Sequence, residues 1–377
     1  MASTTGWDHI IVGGGLAGTV LASRLIEASP KLRVLVLEAG PDVSHRKDIL
    51  YFQSFNFIGG EFDWNYKSVP QKAFPISSGL KLGTKPQNSE AHGRAGKLHI
   101  ESPISTGRDY PLAGPVKQSW AALGVEALRG LDMNAGQNLG LGELNENRHN
   151  GARQISSTVY PLAGVTVVTN VLVGSILIDE ADNVTPRATG VRLANGDDYH
   201  GTEVSISTGA YRTPQLLMLS GIGPRDVLDQ HGIETKVEAP EVGKNFNDHV
   251  LLWLNWRLRN PANGDALGSS HPRWGEARFG TGMPASYVVS TDVPKDGLRT
   301  AIDRDGNADR DRYLLEKPHA LMRTSSWYYF GVPPQKPDGT HISTALMGMK
   351  PTSRDTITIA SKDPADLPVI DPNYLTL

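Results

Sequence analysis

Asp8-His9-Ile10-Ile11-Val12-Gly13-Gly14-Gly15-Leu16-Ala17-Gly18 opens the stretch that decides the fold, and Lys31-Leu32-Arg33-Val34-Leu35-Val36-Leu37-Glu38-Ala39-Gly40 closes it. A short apolar run of buried-strand type enters a glycine turn, a helix-type pattern continues to Ile26, and a second apolar strand ends on an acid. This is the βαβ unit of a dinucleotide-binding, Rossmann-like α/β fold. Gly13 permits the tight turn, Gly15 lets the backbone approach a pyrophosphate, and Gly18 lets the helix pack close on the strand. Leu16 and Ala17 stand at the helix N-terminus, where free N–H groups and a partial positive charge favour an anion. Glu38, twenty residues after Gly18 with Ala39 beside it, is placed to accept hydrogen bonds from ribose hydroxyls, and an acid there disfavours a 2′-phosphate. These residues alone leave FAD and NAD both open.

The 377 residues are 39% hydrophobic and 7% aromatic, enough for a large core and for two domains rather than one. A net charge of −3 with mixed signs gives no electrostatic reason to expect nucleic acid or an anionic membrane as partner. Absence of cysteine excludes disulfides, thiolate chemistry and Cys-ligated metal sites. No metal-ligand pattern stands out: Asp303 to Asp309 lacks the spacing to a closing Glu that a calcium loop needs, which predicts a solvated loop. The nucleotide-binding strand begins by Ile10, leaving no room for a leader before it, and no run reaches the eighteen apolar residues of a membrane span. The expectation is a cytoplasmic protein.

Further along, Asp63-Trp64-Asn65-Tyr66-Lys67-Ser68-Val69-Pro70-Gln71 is followed by a strand-like run from Gly164 to Val173. Ala188 to Leu193 and Tyr199 to Ser207 alternate like a hairpin with Asn195-Gly196 as its turn. The longest signature is Val204-Ser205-Ile206-Ser207-Thr208-Gly209-Ala210-Tyr211-Arg212-Thr213-Pro214-Gln215-Leu216-Leu217-Met218-Leu219-Ser220-Gly221-Ile222-Gly223-Pro224. It reads as a strand, a small-residue turn and a helix closing on Gly-x-Gly-Pro, with Gly209 and Ala210 allowing backbone to approach a nucleotide and Pro214 suited to the first helical turn. Pro240 to His249 and Asp371-Pro372-Asn373-Tyr374 complete the set.

Together these segments resemble the glucose-methanol-choline family of FAD-dependent oxidoreductases. The resemblance implies FAD as cofactor and oxidation of an alcohol-type small molecule, with hydride passing to the flavin. It implies that Trp64 lies in the cofactor region and that Val171 meets the adenine through its main-chain N–H and C=O. It implies a discontinuous FAD-binding domain from 1–102 and 155–250, connecting helices and turns over 103–154, and an antiparallel-sheet substrate domain over 251–377. The family's flavin-ring stretch is represented only by its opening, Ser77 to Pro86, before His92-Gly93-Arg94 resumes a later element, so the sequence is shortened internally. The family's catalytic histidine and its partner lie beyond the point matched by Tyr374, and no residue here corresponds to them. The catalytic residues are therefore unassigned; His249 and His149 read as turn residues. Trp327-Tyr328-Tyr329-Phe330 reads as sheet core or as an aromatic pocket. A flavin-independent paralogue, catalysing dehydration or cyclisation or only binding a metabolite, is the alternative. The shortened nucleotide domain predicts an open flavin site or a homodimer covering its edge.

Overall fold

The computed structural model describes residues 4–51, 57, 59–69, 95–136, 138–179, 185–305, 312–316, 321–328, 337–349, 351 and 353–374. Ser77 to Pro86, His92 to Arg94, Tyr329 and Phe330 lie outside the described residues.

Two sheets carry the chain. Their strands, in order, are β1 (Trp7–Val12), β2 (Val34–Leu37), β3 (Gly140–Glu143), β4 (Thr166–Val168), β5 (Val173–Asp179), β6 (Arg187–Leu193), β7 (Asp198–Ile206), β8 (Val250–Arg257), β9 (Ala285–Asp292), β10 (Leu321–Trp327) and β11 (His341–Gly348). The first sheet runs β4-β2-β1-β7-β6-β5. Its first four strands are parallel, with Ile10 opposite both Leu35 and Val204 and Val36 opposite Val167. Helix α1 (Leu16–Ala28) makes the crossover between β1 and β2.

Alternation within β1 explains its unbroken apolar character. Ile10 and Val12 pack with Leu35, Leu37, Val173, Ile176 and Leu216 on one face, while Ile11 packs with Ala22, Val34 and Val36 under α1 on the other. Both faces are covered from Ile10 to Val12, so that part of the strand is apolar, while buried His9 is satisfied by the Ser205 hydroxyl at 2.8 Å. Ile10 and Ile11 are fully buried, each contributing about 1.5–3 kcal/mol.

The run from Gly164 to Val173 is not one strand. It breaks after Val168, where Asn170 takes φ +60°, and restarts as β5. The turn carries the chain from a parallel edge strand to an antiparallel one and leaves Val171 and Leu172 at the strand ends.

The second sheet, β8-β11-β10-β9-β3, is antiparallel. Its member β3 belongs to the segment expected to hold only connecting helices and turns: Leu141 pairs with Val289 and packs beside Tyr110, Phe279, Tyr287 and Tyr328. Trp327 and Tyr328 are buried in these cores, which makes them sheet packing rather than pocket lining. Of the stretch expected to be a solvated loop, Asp303 to Asp305 end a helix, Lys295–Asp305, and Gly306 to Asp309 lie outside the described residues.

The last described residues return to the first half of the molecule. A hairpin of β12 (Thr356–Thr358) and β13 (Val369–Asp371) sits against helix α2 (Gly209–Leu219), with Ile359 packed on Met218 and Leu228. The 356–371 hairpin thus packs on α2 and not on the second sheet. Helix α2 starts at Gly209, which puts Pro214 in its second turn rather than its first; the missing N–H leaves the Ala210 carbonyl without its usual helical donor. No helix among the described residues is long and apolar enough to cross a membrane.

Candidate functional site

A cavity of about 700 Å³ opens at the C-terminal ends of β1, β2 and β7, the position where open parallel sheets bind ligands. The glycine turn forms its floor. Gly13 has φ +99°, and a Cβ there would meet the Ser207 carbonyl at 2.6 Å, so only glycine fits where β1 and β7 end side by side. At Gly15 the added Cβ would meet nothing within 4 Å, so the backbone is bare toward the cavity. At Gly18 it would lie 1.9 Å from the Gly13 carbonyl oxygen; this glycine serves helix packing and does not line the cavity. Gly13, Gly15, Leu16 and Ala17 do line it. Gly15 caps α1 without a side-chain hydrogen bond and no acid occupies the first turn, so the helix offers its first N–H groups and positive dipole end. Leu16 is 77% exposed, an apolar side chain held at the cavity mouth.

Glu38 is fixed by the turn it faces. One carboxylate oxygen accepts the Gly14 N–H and the other the Gly40 N–H, both at 2.7 Å. Each oxygen retains a lone pair for a further donor. Ala39 lines the cavity beside it. Val171 lines the cavity as well, but its N–H donates to the Glu38 carbonyl at 3.0 Å. The donor half of the expected adenine contact is spent inside the protein, a consequence of the turn at Asn170. Leu172 and Val173 line the same wall.

Opposite stands α2, whose start brings a second helix N-terminus to the cavity. Thr208 and Gly209 line it; Ala210 points instead into a neighbouring groove with Pro214, Leu217 and Phe246. Arg212, Gln215, Leu216 and Leu219 present one helical face, and Pro364 joins them from the loop before β13. Trp64 closes the rim, with its ring 4.4 Å from the Arg212 guanidinium and stacked near-parallel on Tyr66. Burial pushes the Tyr66 hydroxyl pKa up, and its hydrogen bond from Arg212 opposes that rise.

Arg212, Gln215, Val173 and Pro364 were not singled out from sequence. Arg212, Gln215, Leu216 and Leu219 follow the i, i+3, i+4, i+7 pattern of one helical face, which is a usable signal; Pro364 has none, since it arrives through tertiary contact. Among the described residues no histidine lines the cavity. The His249 N–H donates to the Asp248 carboxylate at 2.8 Å, and exposed His149 stacks on His99 with ring centres 4.1 Å apart. Burial raises the pKa of Tyr211 and Tyr374, and the nearby Asp248 carboxylate adds to the rise. Among the described residues no group of three His, Asp or Glu side chains is arranged to hold a metal ion.

Residues 110–251 match the family model for GMC oxidoreductase, and residues 8–59, the βαβ unit alone, match that for lycopene cyclase protein. A GMC-type oxidoreductase of Aspergillus aculeatus, acuG, is 35% identical over 98% of this chain and 76% of its own length. The chain belongs to the GMC oxidoreductase family. That alignment runs over 411 positions against 377 residues here, so this GMC chain lacks segments inside the matched span. An oxygen-dependent choline dehydrogenase of Staphylococcus haemolyticus is 28% identical over 100% of the chain and 73% of its own length. Among solved structures, a formate oxidase variant of Aspergillus oryzae RIB40 studied for FAD modification superposes with a TM-score of 0.79 at 23% identity, covering 100% of this chain and 78% of its own. The pyridoxine 4-oxidase of Mesorbium loti gives 0.72 at 21%, covering 98% and 76%. These two share the fold, a mixed α/β architecture whose first sheet joins parallel and antiparallel strands and whose second sheet is antiparallel.

Proposed function

We propose that this GMC protein binds FAD in the cavity between α1 and α2 and oxidises an alcohol-type small molecule. The observation that carries the proposal is the convergence of two helix N-termini and a fixed glutamate on one cavity at the C-terminal ends of the parallel strands. The residues present fit the dinucleotide. The bare backbone at Gly15 leaves room for a diphosphate, the free N–H groups of Leu16 and Ala17 suit its charge, and the Glu38 carboxylate suits ribose hydroxyls. Val171 to Val173 and Trp64 supply an apolar and aromatic surround for the adenine, with Val171 limited to its carbonyl. When bound, FAD supplies a two-electron acceptor for the hydride leaving the substrate carbon. The part played by this chain's own residues is to bind and orient the adenylate half and to keep its phosphates out of bulk water. The relatives named for choline, formate and pyridoxine oxidation are consistent with a small oxidisable donor. Assembly as a homodimer across the edge strand β4, where Val167 is 40% exposed, belongs to the same proposal.

The purified protein is expected to be yellow, or to take up FAD with a quenched flavin fluorescence, and the flavin band is expected to bleach when a substrate alcohol is added without oxygen. Colourless protein that cannot be reconstituted with FAD would refute the assignment. Flavin-independent turnover of a metabolite without net oxidation would favour the paralogue reading in its place.

A further inference from the structure

Arg212 is buried, 9% exposed, yet among the described residues no carboxylate pairs with its charge. Its hydrogen-bond acceptors are neutral: the Tyr66 hydroxyl at 2.9 Å, the Gln215 amide oxygen at 2.9 Å, and the carbonyls of Pro364 at 2.8 Å and Asp366 at 3.4 Å. Nη2 is buried with no hydrogen-bond partner. The guanidinium lies against the ring faces of Trp64 at 4.4 Å and Tyr66 at 5.8 Å.

The rest of the fold treats buried arginines differently. Arg108, 1% exposed, and Arg148, 4% exposed, both pair with the buried carboxylate of Glu146. A buried cation compensated only by dipoles and rings is costly, and stacking on an indole face returns about 2 kcal/mol of that cost. Arg212 differs from Arg108 and Arg148 in one further way: it lines the large cavity, on the first turns of the helix whose N-terminus also faces that space. The positive end of that helix and the guanidinium add to the positive end of α1 across the cavity, and the Glu38 carboxylate, already accepting two backbone N–H groups, is the acid among the lining residues.

Given FAD as the ligand proposed above, we infer that Arg212 supplies the counter-charge for the phosphates of the dinucleotide's adenylate half, with Trp64 stacked on the guanidinium holding it in place. The ligand group recognised is a nucleotide phosphate, not the adenine ring. Neutral ties from Tyr66, Gln215 and the 364–366 loop fix the position of the cation while leaving its charge for the ligand.

The test uses the full chain after flavin removal, titrated calorimetrically with FAD, ADP and adenosine. Arg212→Met is expected to weaken ADP and FAD binding about 10- to 100-fold through loss of a buried charge facing the phosphates, while adenosine affinity changes less than about twofold, since adenosine carries no charge for it to meet. Arg212→Lys, which keeps the charge, is expected to retain most ADP affinity, with a salt dependence close to wild type. If Arg212→Met does not fold, Arg212→Gln against Arg212→Lys gives the same comparison, the glutamine losing ADP affinity and the lysine keeping it. Unchanged ADP affinity in the neutral variant, or equal losses for ADP and adenosine, overturns the inference while leaving FAD binding intact. A wild-type chain that binds neither FAD nor ADP overturns both proposals.

Discussion

The two sheets solve the burial problem in opposite ways. In the six-stranded sheet the central strand β1 is covered on both faces, by α1 on one side and by β5, β6 and α2 on the other, and Ile10, Ile11, Leu35 and Val36 are all sealed. In the five-stranded sheet the edge strand β8 buries one face only: Trp253 packs against Trp327, whereas Leu252, Leu254 and Trp256 on the other face are 46%, 36% and 52% exposed. Besides the apolar clusters on the two faces of β9, a charged joint secures the second half at its side. Glu146 receives Arg108 and Arg148 and accepts the Met283 N–H, tying 108, 146–148 and 283 together beneath β9. The difference teaches that the nucleotide half is stabilised by continuous apolar packing, whereas the other half combines an apolar cluster on each face of β9 with a buried charged joint and leaves its edge strand half open.

The contrast is broken most severely in the first half by Gly18→Val. Backbone meets backbone there, since the new Cβ would sit 1.9 Å from the Gly13 carbonyl oxygen, and a carbonyl cannot swing aside as a side chain can. Roughly 3 kcal/mol or more of stability is expected to go, seen as insoluble expression or a collapsed denaturation midpoint. A variant within about 1 kcal/mol of wild type would show that α1 is not packed against the turn as described.

Glu146→Ala breaks the second half by the other mechanism. Two buried guanidiniums lose their partner and one backbone N–H its acceptor; burial already lowers the pKa of Arg148, and the negative charge of the Glu146 carboxylate is what chiefly opposes that fall. The expected cost is about 3–5 kcal/mol. Urea unfolding followed separately by Trp fluorescence and by flavin release reports the two halves. Loss of the fluorescence transition at lower urea, with flavin release following later, is the expected order; coincident shifts would mean that the halves unfold as one unit.

How much of this was legible follows from the same contrast. Strand β1, the glycine turn, α1 and Glu38 could be read because each is specified locally: an apolar run covered on two faces, a turn whose φ demands glycine, an acid at a strand end. The Asn195-Gly196 hairpin was readable for the same reason, with Gly196 at φ +94°. Strand β3 was hidden because Gly140-Leu141-Gly142-Glu143 has a poor intrinsic strand preference and becomes a strand only against β9, where Gly142 meets Met133 and the Leu131 carbonyl too closely for any side chain. The break at Asn170 was hidden inside a β-branched run that looks continuous. Arg212 was in plain view within the quoted helix, but a lone arginine on a helix normally points to water; only the folded chain, by bringing Tyr66, Trp64 and the 364–366 loop over it, shows a buried charge.

Gly15→Ala separates packing from ligand binding within a single turn. Gly15 and Gly18 are three residues apart and belong to the same motif, yet one faces space and the other faces backbone. The φ of Gly15 is −72° and ψ −161°, a conformation open to alanine, and its new methyl group would touch nothing in the protein. Stability is therefore expected to shift by less than about 1 kcal/mol, the range of an unstrained glycine-to-alanine change. The methyl would occupy the space through which a diphosphate approaches the α1 N–H groups, so FAD affinity is expected to fall at least about tenfold, the equivalent of 1.4 kcal/mol. Measured side by side, equal melting temperatures with unequal FAD titrations would identify the bare backbone as the ligand-facing surface of the turn. Equal titrations would move the diphosphate away from Gly15 and toward the α2 side of the cavity, where Thr208, Gly209 and Arg212 stand.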